Sequence, residues 1–192
     1  GRPVPVQVTP GENGKATLSF VAAVPPGGSA TFTVSSDGQP AAAAVSATPE
    51  GEALVLANQS LAVRVPAPRD KTFDPPVPAD TLPAPILAFR GADKAWKGAG
   101  TVLAKRPVKK FTVAQAAGGP VFVETRYRLD YAAGGWYEAT VRVTDRAPFA
   151  LVTESYDLGG TRNAEYWQLD LSTGWNADEA EHMSVAGQGF AP

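Results

Sequence analysis

Trp136, Glu138, Arg128 and Arg142 fall within one stretch, GGPVFVETRYRLDYAAGGWYEATVRVTD, residues 118–145. An exposed aromatic ring beside a carboxylate and two guanidinium groups suits a polyhydroxylated ligand. The ring stacks on apolar C–H faces, while carboxylate and guanidinium groups bond hydroxyls. Glycoside hydrolysis would instead need two carboxylates, roughly 5–9.5 Å apart across a sugar. Glu124, Glu138, Glu154 and Asp157 are the strand carboxylates available for that, and Tyr127, Tyr131 and Tyr156 are candidate lyase bases. No residue among them is singled out as catalytic by its neighbours. One reading is therefore binding through Trp136, Glu138, Arg128 and Arg142; another is that a further layer or domain covers Trp136 on this face, and a third is catalysis by a pair of strand carboxylates.

Other chemistry finds less material. His182 is the only histidine, no serine sits in a GxSxG elbow, and cysteine is absent. Thiolate zinc, disulfides and a thiol nucleophile are thereby excluded, and one histidine does not make a typical transition-metal site. No cofactor is implied. Asp170, Asp178, Glu179 and Glu181 make the C-terminal region acidic but match no EF-hand loop. They read first as a solvated surface. AKRPVKKF (104–111) carries Lys105, Arg106, Lys109 and Lys110. It reads first as protection of an edge strand and second as a site for an acidic polysaccharide.

These side chains must be positioned by strands. Hydrophobic residues make up 44% of the 192-residue chain, enough for a packed core, and 19 glycines and 18 prolines separate short apolar runs. Strands are expected at 4–8, 16–22, 30–35, 53–57, 61–65, 86–89, 101–104, 108–113, 121–131, 136–145, 149–156 and 165–171. One helical turn is expected at 176–182. The fold expected is all-β, an antiparallel two-sheet β-sandwich. Trp167 and Trp175 are expected to pack in it. Pro66–Pro85 holds seven prolines and cannot be a central strand. It is expected as a long loop wrapping a single domain spanning 1–192. The alternative is a linker between two small β domains, 1–65 and 86–192.

Parity and charge set one register. Val121, Val123, Thr125, Tyr127 and Leu129 share a face, as do Tyr137, Ala139, Val141 and Val143. If both faces meet one core, paired positions have an even sum, which excludes a two-residue Gly-Gly turn. A five-residue loop, Tyr131 to Gly135, sets Arg128 opposite Glu138 and Arg142 opposite Glu124. A three-residue loop would set Arg126 opposite Arg142 and Asp130 opposite Glu138. Opposite charges across a pair contribute roughly 0.2–1 kcal/mol and like charges oppose pairing, which selects the longer loop.

VPPGGSATFTV (24–34), LVLANQSLAVRV (54–65), GGPVFVETRYRLDY (118–131) and YEATVRVTDRAPFALVTESYDLG (137–159) follow in an order that resembles a known family. It is that of the large β-sandwich, or supersandwich, domains of bacterial polysaccharide-degrading enzymes. The order is similar to the β domains of α-mannosidase-type glycosidases and to the N-terminal β domain of exo-rhamnogalacturonan-lyase-like proteins. The features shared are a Gly-Pro-Val lead-in to a long strand and an Asn between two strands. The resemblance implies a supersandwich-like fold and a secreted or periplasmic setting. It also implies polysaccharide or oligosaccharide as partner, beside a neighbouring catalytic domain. It carries over no catalytic residue. A self-contained glycoside hydrolase or lyase, and a structural or adhesive module, are the alternatives. The start at Gly1 is compatible with a removed signal segment, and the end at Pro192 reads like a cut through a longer protein.

Net charge is −2 with a sequence pI near 5.4, so no global basic field exists to hold nucleic acid. No apolar run approaches the roughly 18 residues of a membrane span.

Overall fold

The computed structural model describes residues 3–35, 42–91, 93–157 and 167–171. Among them, thirteen strands run in chain order: β1 Gln7–Pro10, β2 Ala16–Ser19, β3 Ser46–Glu50, β4 Ala53–Ala57, β5 Ala62–Pro66, β6 Arg69–Pro78, β7 Ala88–Arg90, β8 Ala99–Val102, β9 Pro107–Gly118, β10 Phe122–Tyr131, β11 Trp136–Thr144, β12 Ala150–Asp157 and β13 Trp167–Asp170. The fold is all-β, and every strand pairing is antiparallel. No helix among the described residues is long and apolar enough to cross a membrane.

Two sheets dominate. One has the order β12-β11-β10-β9-β6, the other β3-β4-β5-β7; β1-β2 and β13-β8 form two-stranded ribbons. The β10–β11 register is the one that charge selected: Glu124 faces Arg142, Arg128 faces Glu138, and Leu129 faces Tyr137. The connecting loop is closed at its base, where the Tyr131 N–H donates to the Gly135 carbonyl at 3.1 Å. Gly134 and Gly135 have φ of 90° and 80°, a region glycine enters at little cost.

The odd-numbered face of this hairpin is core, and its two ends are covered differently. At one end Val123, Val141 and Val143 pack on Leu54, Leu56, Val63 and Val65 of the four-stranded sheet. That contact makes the sandwich, and it joins residues from both sides of the proline-rich segment in one core. At the other end Tyr127, Leu129, Tyr131, Tyr137 and Ala139 pack with Val108, Phe111 and Val113 of β9. Ala79, Ala84, Val102 and Ala104 cover them, with Trp167 packed against both clusters. Val108 and Phe111 reach the same core although they are three apart. The register shift between Asp130 and Tyr131 takes up the extra residue.

Several sequence expectations are corrected. The segment 66–85 is not a loop: β6 pairs with β9 as an edge strand, with the pairing interrupted between Thr72 and Val77. An edge strand has one backbone side unpaired, so prolines at 75, 76 and 78 are tolerated there. β9 is therefore interior, and Lys105, Arg106, Lys109 and Lys110 do not guard an edge. Lys110 instead pairs with Asp70 on β6 at 3.1 Å, and Arg106 lies over the Tyr131 ring at 4.8 Å. Residues 30–35 form no strand, and the edge strand β3, with Pro49 inside it, was not expected. Trp175, Asn176–His182 with His182, Asp178, Glu179 and Glu181 lie outside the described residues.

Candidate functional site

The even-numbered face of the five-stranded sheet carries the residues singled out from sequence. Alternation along β10 and β11 puts Glu124, Arg126, Arg128, Asp130, Trp136, Glu138 and Arg142 on this side, each half-buried except Arg126, which is exposed. Arg128, Glu138 and Trp136 come together at one end. The Arg128 guanidinium lies 4.6 Å from the Trp136 ring centroid, bonds Asp130 Oδ1 through Nε at 3.1 Å, and meets Glu138 Oε2 at 3.4 Å. These contacts hold the guanidinium in its charged form, the Asp130 hydrogen bond most of all, against a smaller opposing effect of burial. Arg126 also approaches Glu138, at 3.5 Å.

Arg142 stands in a separate cluster at the other end of the strands. It bonds Glu124 Oε2 through Nε at 2.6 Å and stacks 4.1 Å from the Phe122 ring centroid. The four residues thus form two separate groups on one face of the sheet. Glu124, Asp130 and Glu138, the β10–β11 carboxylates on this surface, are all committed to arginines. Asp130, which completes the Arg128 fork, was not singled out from sequence. Its even position on the same face as Arg128 was the signal that pointed to it.

The opposite face holds the tyrosines. Tyr137 donates a hydrogen bond from its hydroxyl to Glu154 Oε1, and Trp167 Nε1 donates to the same oxygen at 2.9 Å. The Tyr137 hydroxyl is pushed far above the usual tyrosine range, first by burial and then by the Glu154 hydrogen bond. Burial raises Tyr127 in the same direction, with Tyr131 adding to it. The Tyr127 hydroxyl is buried with no hydrogen-bond partner, and its side chain lines a cavity of about 10 Å³ with Tyr131, Tyr137 and Trp167. That volume is close to the minimum that holds one water molecule. A tyrosine acting as a base needs its hydroxyl lowered toward neutrality, the reverse of what surrounds Tyr127 and Tyr137.

A third locus lies at the far end of β11. Asp145 is 5% exposed and follows the last β11 residue, Thr144. Its N–H donates to the Val121 carbonyl at 2.7 Å. Asn58, in the β4–β5 turn, donates through Nδ2 to the carbonyls of Thr144 and Ala147 at 2.7 and 2.8 Å. Gln7 of β1 accepts the N–H groups of Val121 and Phe122 through Oε1 at 3.1 and 2.8 Å. The Asn between two strands and the Gly-Pro-Val lead-in thus meet around one turn. A Cβ at Gly119 would sit 2.5 Å from the Gln7 side chain, so a larger residue there would displace the glutamine from these hydrogen bonds. Elsewhere, the Trp96 ring has Arg64 at 4.2 Å and Arg90 at 4.7 Å from its centroid, a contact with no marker in the sequence.

Among the described residues no three His, Cys, Asp or Glu side chains converge as a metal site. The chain matches no family model, no curated protein and no solved structure in comparison with each.

Proposed function

We propose that this chain is a non-catalytic β-sandwich module of a bacterial carbohydrate-active protein. It holds or orients polysaccharide for a catalytic domain outside the chain, in a secreted or periplasmic setting. The observation that carries this reading is the Trp136–Arg128–Glu138 group. A half-buried indole is fixed by a stacked guanidinium at the end of a polar face. Its remaining surface and the neighbouring carboxylate and guanidinium groups suit a sugar's C–H face and hydroxyls. The order of motifs that resembles supersandwich domains supports the same reading. The catalytic alternative has less support. Glu124 and Glu138 are ion-paired with arginines, whereas a glycosidase general acid must hold its proton, and Tyr127 and Tyr137 are set against proton abstraction.

The test is binding of the full chain to a polysaccharide array, with Trp136→Ala as probe. The expected result is retention of at least one polysaccharide, weakened about tenfold or more by the substitution, the scale of losing one stacked aromatic contact. Failure to retain any polysaccharide, or retention indifferent to Trp136→Ala, overturns the reading. Release of new reducing ends by the chain alone would replace it with the catalytic one.

A further inference from the structure

A groove of about 240 Å³ opens at the Asp145 turn. Its walls are Pro3, Pro5, Val21 and Phe32 from the N-terminal part, with Asp145 and Arg146 at its polar end. It is smaller than the roughly 300–1,000 Å³ of sites for drug-sized ligands, so it takes one small unit. It lies at the opposite end of β11 from Trp136, roughly 30 Å away for nine residues of extended strand.

The polar end is a built feature. The Asp145 side chain is 6% exposed and pairs with Arg146, whose Nε lies 3.4 Å from Oδ2. The carboxylate oxygens are not among the buried polar atoms left without a partner, so they reach the solvent of the groove and can accept from a ligand there. Arg146 has φ of 60°, a region that side chains other than glycine rarely adopt. Asn58 and Val121 hold the turn in that form through the three hydrogen bonds given above. Strain held in place by surrounding bonds is a mark of functional positions.

Charge then narrows the ligand. Asp145 and Arg146 cancel, so neither an ammonium nor a carboxylate ligand gains a net attraction. A neutral ligand with adjacent hydroxyls can donate to Asp145 and accept from Arg146. The Phe32 ring, 40% exposed, and the prolines offer apolar surface for a C–H face. We propose that this groove binds a single ring of a neutral sugar, a second glycan contact remote from Trp136. The inference rests on the glycan reading above and adds a subsite to it.

The test is amide chemical-shift mapping of the full chain. D-glucose, D-galactose and D-mannose are titrated separately, with methylammonium and acetate as charged controls. At least one neutral sugar is expected to move the Val121, Asp145 and Arg146 amides, with neither control doing so. Asp145→Asn keeps the shape of the side chain, and Arg146→Gly suits the local φ. Each is expected to weaken the sugar response about tenfold or more, the scale of a hydrogen bond to a charged group. Trp136→Ala is expected to leave it unchanged. Unmoved amides with every neutral sugar, a response to methylammonium or acetate instead, or a sugar response indifferent to both variants overturns the inference. The Trp136 indole N–H reports separately on polysaccharide. If it shifts while the Asp145 turn stays silent, only this inference fails; if the turn responds and the indole does not, only the Trp136 platform fails.

Discussion

The two faces of the β10–β11 hairpin use the same backbone and alternate residue by residue, yet they are held by different physics. On the core face Leu129, Tyr131, Val141 and Val143 are each 2% exposed or less, packed against β9 and a second layer. On the polar face Arg128, Glu138, Glu124 and Arg142 form cross-strand ion pairs with side chains 13–39% exposed. Burial scales with area removed from water, whereas exposed ion pairs are screened and lose side-chain entropy. The core face should therefore carry the stability, leaving the polar face free to be selected for contact.

The largest effect that would sharpen this contrast is Leu129→Ala, expected to cost about 2–5 kcal/mol by denaturant unfolding. The adjacent Arg128→Ala should cost under about 1 kcal/mol. Equal losses at the two neighbours would break the comparison. Tyr127→Phe tests a core position whose polar atom has no hydrogen-bond partner. It is expected to preserve stability or raise it by about 1 kcal/mol, because it removes a buried hydroxyl without a partner.

The same substitution has a pH signature. A tyrosine raised in the folded state contributes stability that is fully present below its unfolded value, near about pH 10, and lost as pH rises through the folded value. Stability of the native chain should fall above about pH 10, and Tyr127→Phe should lessen that fall. Unfolding curves at successive alkaline pH values check it. The smallest effect is the Glu124–Arg142 coupling, expected at about 0.2–1 kcal/mol in a double-mutant cycle and reduced by salt. A coupling several times larger would mean that the polar face is structural after all.

The β10–β11 hairpin was legible because its signals are local. Period-two alternation names the core side, and the pairs Arg128–Glu138 and Glu124–Arg142 distinguish one loop length from another. The segment 66–85 was half legible. Its prolines excluded a central strand, but whether they made a loop or an edge depended on β9 offering a partner. Trp136 was placed correctly on the polar side, and its stacking on Arg128 follows from that. Arg142 was grouped with it too broadly, because alternation tells which face a residue takes and not how far along the strand its partners stand. Asp145 was passed over as a strand end, since only the folded chain shows what surrounds it.

The sequence alone determined the all-β class, the inward and outward faces of the long strands and the register of one hairpin. Each of these follows from backbone geometry and from neighbours a few residues apart. Tertiary structure decided which strands are edges, which half of the core is aliphatic and which is tyrosine-rich, and where a groove opens. Those outcomes depend on contacts such as Asn58 to Thr144 and Gln7 to Phe122, made across 86 and 115 residues of chain. No local pattern encodes such a meeting, because contacts this far apart in sequence form only once the intervening chain has closed, and no residue type marks that closure.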